Sequence, residues 1–467
     1  MKARILYIKP PDPFLQDEFV YQQLGPHYLQ AYTNQLGYES ELLVLYVKDR
    51  RAPLRGLEDL HMLLVRGESI VHEGSFSLDV VESFDLLAFS VMSPQATYAY
   101  WLSEAVRKSY PEKKLMIGGS HARYYLDQVK TLPEEKAFDY IVPLDGWGPI
   151  EQVLSEGLKS SDNPVLAHRQ DLKKILVPPT RPLELMERYH YEVAGLKTYH
   201  TVTALGCPFT CYFCEAGTEN IHFFPKKMLD ADLHSIARVH KELGRTRYAL
   251  MFFDDTGLLS PRQVEGLSIL VKKHGFSAWR SFSHAYLICK HGEKMLNPFL
   301  ESGGRRVGIG LETGSQKSLD LINKRNGRKQ LVEEHYEAVR IANSLGIAVD
   351  GFTMIYPWET EADLKATTDL VEFIVGNPIE GEDELGRPLR NHVDSTIMLP
   401  FQGTRFNELF RSRAIRGVRI KDEIDNSLLY HKGIDASSGW VYEETVLPRE
   451  RYLLEQEYRN SLRPGYR

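Results

Sequence analysis

Four cysteines occur in the chain, and three of them, Cys207, Cys211 and Cys214, fall within eight residues. Their spacing is Cys-x3-Cys-x2-Cys. Three thiolates on one tight loop suit three irons of a four-iron cluster and leave the fourth iron open for an exogenous ligand. A structural zinc site asks for four protein ligands and usually paired Cys-x2-Cys knuckles. No second knuckle exists here, although a histidine from elsewhere could complete such a site. The remaining thiol, Cys289, lies in the apolar run Tyr-Leu-Ile-Cys, read as strand, and is expected to be a buried small hydrophobe. So few thiols, so clustered, point to a metal centre in a reducing compartment rather than to a disulfide framework.

These cysteines need rigid elements to hold them. From Tyr199 to about Pro400, strand-like segments alternate with helical ones: HTVTALG, YALMFFD, SAWRSFSH, RVGIGLE, AVDGFTMI and DSTIMLP. Six such units predict a partial parallel barrel, whose chemistry sits at the carboxyl ends of its strands. Cys207, Asp254, Asp255, His284 and Glu312 all fall at such ends. Glu312, Asp254 and Asp255 are carboxylates, able to accept hydrogen bonds there. Asp255 also suits a helix N-cap. His284 is a candidate for moving a proton or holding substrate.

The first third reads as a second α/β unit. ARILYIK, Glu41–Tyr46, Asp85–Val91, Lys114–Ile117 and Phe138–Val142 are buried-type strands, with helices at Leu24–Leu36 and Thr97–Ser109. This pattern predicts a doubly wound parallel sheet, which binds ligands outside its carboxyl edge. That edge carries Ser90, Ser93, Gly118, Gly119, His121, Asp145 and Gly146. The expected organisation is a Rossmann-type domain over residues 1–157, a proline-rich linker over 158–198, the barrel over 199–402, and a mainly helical C-terminal segment over 403–467, ending in a solvated capping helix.

Composition narrows the partners. The chain has 467 residues, 43% hydrophobic and 26% charged, with a net charge of −6. This excludes wholesale disorder and argues against a basic nucleic-acid binder. No apolar run is long enough to span a bilayer, and the first residues read as a strand rather than a signal peptide, so a cytoplasmic protein is expected. An acidic run, Glu380, Glu382, Asp383 and Glu384, is read as a solvated loop near the barrel mouth, or as a rim that would receive a cationic substrate.

The cysteine motif at the end of the first barrel strand resembles that of the radical S-adenosylmethionine (SAM) superfamily. Pro178-Pro-Thr-Arg181, Met251-Phe-Phe-Asp254-Asp255, Gly308-Ile-Gly-Leu-Glu312-Thr-Gly-Ser315, Pro357-Trp-Glu359-Thr360 and Pro400-Phe-Gln-Gly-Thr404 resemble the subclass that carries an N-terminal cobalamin-binding domain. The resemblance implies a [4Fe-4S] cluster on the three cysteines, SAM chelated to the open iron, and a deoxyadenosyl radical that takes hydrogen from substrate. It places Phe213 beside the adenine, and Asp255, Glu312 and Ser315 among the SAM contacts, with Asp254 and His284 at the reacting centre. Family members often have Gly-Gly-Glu where this chain has the two aspartates.

The resemblance also implies cobalamin at Ser90, Ser93, Gly118, Gly119, His121, Asp145, Gly146 and Trp147. The cobalt-ligating Asp-x-His-x-x-Gly pattern is missing, and Trp147 stands in a loop where relatives have Gly-Glu-Gly-Glu. Three functions follow as alternatives. One is a cobalamin-dependent methyltransferase acting on an unactivated carbon in secondary metabolism. Another is a cobalamin-free radical dehydratase or rearrangement enzyme, for example on an aminosugar. The last is a non-catalytic metal-binding protein. The enzyme readings imply a small-molecule or peptide substrate and a flavodoxin- or ferredoxin-type electron donor.

Overall fold

The computed structural model describes residues 2–12, 17–20, 22–48, 56–159, 164–216, 220–424 and 440–462. The chain divides into two compact units. One comprises Met1–His190 with Phe224–Gly244; the other comprises Tyr191–Phe223 and Arg245–Asp425 with Leu429–Arg467. Residues 164–190, which the sequence suggested as linker, and the helix Lys226–Glu242 therefore group with the first unit. No helix among the described residues is long and apolar enough to cross a membrane.

The first unit is built on a seven-stranded sheet. Its strands are β1 (Arg4–Lys9), β2 (Glu39–Val47), β3 (Leu60–Arg66), β4 (Ser69–Ser75), β5 (Leu86–Ser90), β6 (Lys114–Gly118) and β7 (Tyr140–Val142), in the order 4-3-2-1-5-6-7. The strands β2, β1, β5, β6 and β7 run parallel. They are apolar on both faces, as helix-covered parallel strands must be; Ile5, Leu6, Ile8, Leu43, Leu86, Leu87 and Ile117 are fully buried. The hairpin β3–β4 adds antiparallel to the edge at β2, and the sequence reading did not include it. Its outer strand, Ser-Ile-Val-His-Glu-Gly-Ser, is largely exposed and polar, so it lacks the alternation that signals a half-buried strand.

The second unit carries the barrel. A short hairpin strand, β8 (Glu192–Val193), precedes β9 (Leu196–Thr201). The two-stranded ribbon β10 (Ala204–Leu205) and β11 (His222–Phe223) brackets the cysteine loop. Then come β12 (Ala249–Phe252), β13 (Ala278–His284), β14 (Gly304–Glu312), β15 (Ala348–Ile355) and β16 (His392–Ile397). The order is 16-15-14-13-12-9-8, with six parallel strands from β9 to β16. Thus the predicted partial (β/α)6 barrel forms. Helices such as Pro261–His274, Glu333–Ser344 and Glu361–Gly376 join successive strands, the connection that parallel strands require.

Two expectations are corrected. Cys289 lies on the helix Ala285–His291 rather than on a strand, and its thiol donates to the Glu334 carbonyl at 3.3 Å. The acidic run lies at the opposite end of the barrel from the cysteines. Glu384 pairs with Arg247, just before β12, and at 3.7 Å with Arg305 at the start of β14, while Asp383 pairs with Arg387 at 2.6 Å. The run, with Asp383 and Glu384 paired, is a loop at the amino ends of the strands and offers no rim to a substrate at the carboxyl ends.

The C-terminal helix Arg449–Ser461 is not merely solvated. Arg459 is fully buried and donates to the Leu364 carbonyl at 2.9 Å. Asn460 takes both backbone groups of Ser395 on β16, at 3.0 Å each. A side-chain amide thereby replaces the missing neighbour strand and blunts the open edge of the barrel.

Candidate functional site

The cysteine loop is gripped by segments that follow it in the chain. Tyr212 donates its backbone N–H to the Ile322 carbonyl (3.0 Å) and accepts from the Phe406 N–H (3.0 Å). Asn326 accepts from the N–H and hydroxyl of Thr210 (2.7 and 2.9 Å) and donates to the Pro208 carbonyl (2.8 Å). Asn323 donates to the Thr210 carbonyl at 3.1 Å. Both asparagines have left-handed backbones, φ 52° and 53°, a conformation that asparagine tolerates better than most residues. The segment Asn323–Asn326 is therefore a clamp over the loop. The sequence reading did not single it out, although Asn-x-x-Asn-Gly shortly after a strand-end glutamate is a visible turn signal.

Inside this clamp sits Lys324, a second residue missed from sequence. It is buried, and its ammonium lies 2.5 Å from Glu312 Oε1. Burial disfavours its charge, but Glu312 and the cysteines Cys211 and Cys214 outweigh that and hold it above the usual lysine range. It also stands 6.0 Å from the centre of the Phe213 ring. Glu312 ends β14 at a bulge and has φ 64°, rare for a residue with a side chain. A bulge re-aims a side chain, and an observed strained backbone is a pointer to function. Gly310 makes this possible, since a Cβ there would run into Glu312 Oε1 and stand 2.7 Å from Lys324 Nζ.

Desolvation pushes the Cys211 thiol up to about 12. The Lys324 ammonium opposes this, while Cys214, Glu312 and Cys207 add to it. A thiol so placed ionises beside a strongly positive centre, which is the chemistry of an iron–sulfur donor set. Among the described residues, no three His, Cys, Asp or Glu side chains form a group that could hold one metal ion. Cys207, Cys211 and Cys214 are the residues of this loop that would hold a multi-iron cluster.

Asp254 follows β12 and is buried. Its Oδ1 accepts from the Thr203 N–H (2.6 Å), the Thr203 hydroxyl (3.0 Å) and the Ala204 N–H (2.8 Å), fixing the turn that leads into the cysteine loop. Among the described residues its Oδ2 has no hydrogen-bond partner, and neither has the Ser281 hydroxyl on β13. Both pack against Gly257, where a Cβ would lie 3.5 Å from Asp254 Oδ2 and would run into Ser281 Oγ. A buried carboxylate oxygen without a donor costs about 1–3 kcal/mol. Burial pushes Asp254 up to about 6, against the bonds from Thr203 and Ala204 and with help from Asp255. A cation brought to Oδ2 would relieve both effects.

The other predicted residues have more defined places. His284, the last residue of β13, caps the following helix by accepting from the Tyr286 N–H (3.1 Å), which leaves Nε2 to donate to the Lys324 carbonyl (3.1 Å). Burial and the Lys324 charge hold it neutral, well below the usual histidine range. Phe209 stacks on its ring at 4.4 Å. Both nitrogens are engaged, so His284 positions Lys324. Ser315 caps the short helix Gln316–Leu321 and donates to Asp363 at 2.6 Å. Asp255 is exposed, and Ser260, rather than Asp255, is the N-cap of the helix Pro261–His274.

At the carboxyl rim of the first unit's sheet, Gly119 (φ 97°) packs so that a Cβ would lie 2.5 Å from the Val91 carbonyl. The Ser90 hydroxyl accepts from the Gln23 amide at 3.3 Å. His121 lies 2.6 Å from the Tyr100 hydroxyl and 3.3 Å from the Ser93 hydroxyl, and Tyr125 stacks on it at 5.0 Å. Desolvation pushes it down to about 4. Its ring is occupied within the fold and does not fit the part of a cobalt ligand. The Asp145 carboxylate accepts from the Gln170 N–H at 3.4 Å, and Gly146 packs against Leu29. Trp147 is buried between Tyr28 and Phe224, with ring centres 5.8 Å from each, and its Nε1 has no partner.

Comparison with known proteins agrees with this geometry. Residues 201–371 match the Radical SAM superfamily. An uncharacterized methyltransferase of Pyrococcus horikoshii is 23% identical over 334 residues, 65% of this chain and 69% of that protein. Among solved structures, the cobalamin-dependent SAM radical enzyme OxsB, with aqua-cobalamin and SAM bound, aligns over 98% of this chain with a TM-score of 0.70 at 13% identity. The chain spans 66% of OxsB. The radical SAM methyltransferase TsrM of Kitasatospora setae, with cobalamin and a [4Fe-4S] cluster, aligns over 98% of this chain and 91% of its own, with a TM-score of 0.64 at 12% identity. Residues 201–371 thus carry a radical SAM domain, which implies an enzyme with a [4Fe-4S] cluster and SAM, and nearly the whole chain, sheet domain included, shares the fold of OxsB and TsrM.

Proposed function

We propose that this enzyme is a cobalamin-dependent methyltransferase acting on an unactivated carbon. The observation that carries this reading is the alignment of nearly the whole chain, sheet domain included, with two structures described as containing cobalamin. Cluster and SAM together supply a carbon radical able to remove hydrogen from an inert C–H bond. Each protein group has a part that its geometry supports. Cys207, Cys211 and Cys214 hold the cluster. Asp254 Oδ2 receives the SAM ammonium beside Gly257. Glu312, steadied by Lys324, accepts from the ribose hydroxyls, and Phe213 flanks the adenine. His284 holds the Lys324 backbone in place. In the sheet domain the small residues Ser90, Ser93, Gly118 and Gly119 would admit the corrin, and cobalt would bind without His121 as ligand.

A second reading, a cobalamin-free radical dehydratase or rearrangement enzyme, is favoured by the engaged ring of His121 and the buried Trp147. Anaerobic purification from cells that take up cobalamin, followed by iron and cobalt analysis, separates the two. Four irons with near-stoichiometric cobalt support methyl transfer. Four irons without cobalt, even after reconstitution with hydroxocobalamin, would transfer the assignment to the second reading.

A further inference from the structure

The residues that clamp the cysteine loop from within also form a surface. From Leu321 to Val332 the sequence contains four cations and no acid, in a chain whose net charge is −6. Lys324 and Arg325 are used internally, on Glu312 and Glu334 (2.5 and 3.2 Å). Arg328 and Lys329 are exposed, and among the described residues no ion pair involves either. Leu321 and Leu331 flank them and are 38% and 43% exposed. A cleft of about 330 Å³ opens between Asn323, Lys324, Arg328 and Lys329; its single acid, Asp320, accepts from Gln316 at 2.7 Å. Apolar residues rimmed by like charges mark an interaction surface on an otherwise acidic protein.

This surface is one side chain away from the redox centre. Asn326 is exposed, yet its amide bonds Pro208 and Thr210, the residues between Cys207 and Cys211. An electron arriving here has a short bonded path to the cysteines.

We propose that Arg328 and Lys329, with Leu321 and Leu331, are the docking site of an acidic one-electron carrier protein of the flavodoxin type. The carrier's reduced flavin loses one electron and the cysteine-held cluster gains it. The inference rests on the assignment of a cluster to Cys207, Cys211 and Cys214. Basic rim residues act mainly on the association rate and make it salt-dependent.

The test uses the full-length enzyme with reconstituted cluster, the double variant R328E/K329E, and the control K272E/K273E, which makes the same charge change on the helix Pro261–His274. Binding of oxidised flavodoxin is measured by surface plasmon resonance, and cluster reduction by reduced flavodoxin is followed by stopped-flow absorbance. R328E/K329E is expected to lose at least about tenfold in association and reduction rate at low ionic strength, with the difference shrinking toward roughly 0.5 M salt; K272E/K273E should behave as wild type. Deoxyadenosine formed with dithionite should be the same in all three. Equal flavodoxin binding and reduction in wild type and R328E/K329E, or equal losses in the control, would overturn the docking site. The binding measurement decides the surface even without turnover. Failure of wild type to form deoxyadenosine with dithionite would instead count against the radical SAM reading.

Discussion

Two parallel sheets in this molecule present carboxyl edges, and their polar side chains are used differently. At the edge of the N-terminal sheet, His121 is occupied by Tyr100 and Ser93, and Gly119 packs on the Val91 carbonyl. At the edge of the barrel, Asp254 Oδ2 and Ser281 Oγ are buried without partners, Glu312 sits on a strained backbone, and a lysine is buried among thiols. Open strand ends are where both architectures bind ligands. The contrast shows that topology fixes the location, whereas the chemistry depends on whether hydrogen-bonding capacity and charge are left unsatisfied there. A ligand at the barrel edge answers a carboxylate oxygen; one at the sheet edge, where Trp147 Nε1 is buried without a hydrogen-bond partner among the described residues, would be held by neutral groups, shape and backbone.

Removing the barrel's metal ligands sharpens this contrast most strongly. Single replacement of Cys207, Cys211 or Cys214 by alanine should leave the N-terminal sheet folded and abolish deoxyadenosine formation. Iron per chain and deoxyadenosine yield under dithionite check it. Reductive SAM cleavage by any of these variants would break the comparison at its base.

The buried pair at the barrel edge comes next. Lys324→Met leaves Glu312 charged and unpaired, at a cost of about 3–5 kcal/mol. Urea denaturation should show that loss, and the double variant K324M/E312L should recover most of it while losing SAM affinity. A K324M protein as stable as wild type would mean that the pair is not confined as the structure has it.

Much of this edge was legible before the fold was known. The cysteine spacing and the strand-end positions of Asp254 and Glu312 follow from pattern and period. Lys324 did not, because a lysine in Ile-Asn-Lys-Arg-Asn-Gly reads as solvated loop and its burial depends on this segment lying against Glu312 and the cysteine loop. The acidic run was misplaced for a similar reason: composition marks a charged loop but not which end of a barrel it caps. In the first unit the five parallel strands were readable from apolar runs, but the engagement of His121 depends on Tyr100 and Ser93 from other segments.

Asp254 offers a pH test of intermediate size. With one oxygen on Thr203 and Ala204, Asp254→Asn can keep the turn while losing the charge offered to an ammonium. SAM affinity should fall by about 1.5–3 kcal/mol, the range for hydrogen bonds to charged groups. Because burial pushes the carboxyl up to about 6, wild-type affinity should drop as pH falls through that value, where the carboxylate is protonated; in D254N the profile should be flat. Isothermal titration with SAM between pH 5 and 8 reads both. The same shift also makes a stability prediction. The folded protein holds this proton above the ordinary carboxylate range, so the carboxyl lowers stability as pH rises from about 4 to 6, and D254N removes that slope.

The smallest effect is expected at the sheet edge, and it bears on the comparison directly. If His121 is packing and hydrogen bonding rather than ligand, His121→Gln costs the bonds to Tyr100 and Ser93, about 1 kcal/mol each, and changes nothing at cobalt. Desolvation already pushes the imidazole down to about 4, so it stays neutral from pH 5 to 8 and no pH-dependent switch in that range arises from it. After hydroxocobalamin is bound and reduced to the Co(II) state, the electron paramagnetic resonance spectrum should be identical in wild type and H121Q. A nitrogen splitting present in wild type and lost in the variant would show that the ring leaves Tyr100 to reach cobalt. The two edges would then be alike, each holding a metal through side chains, and the sheet would be a reserve of ligands released only when the cofactor arrives.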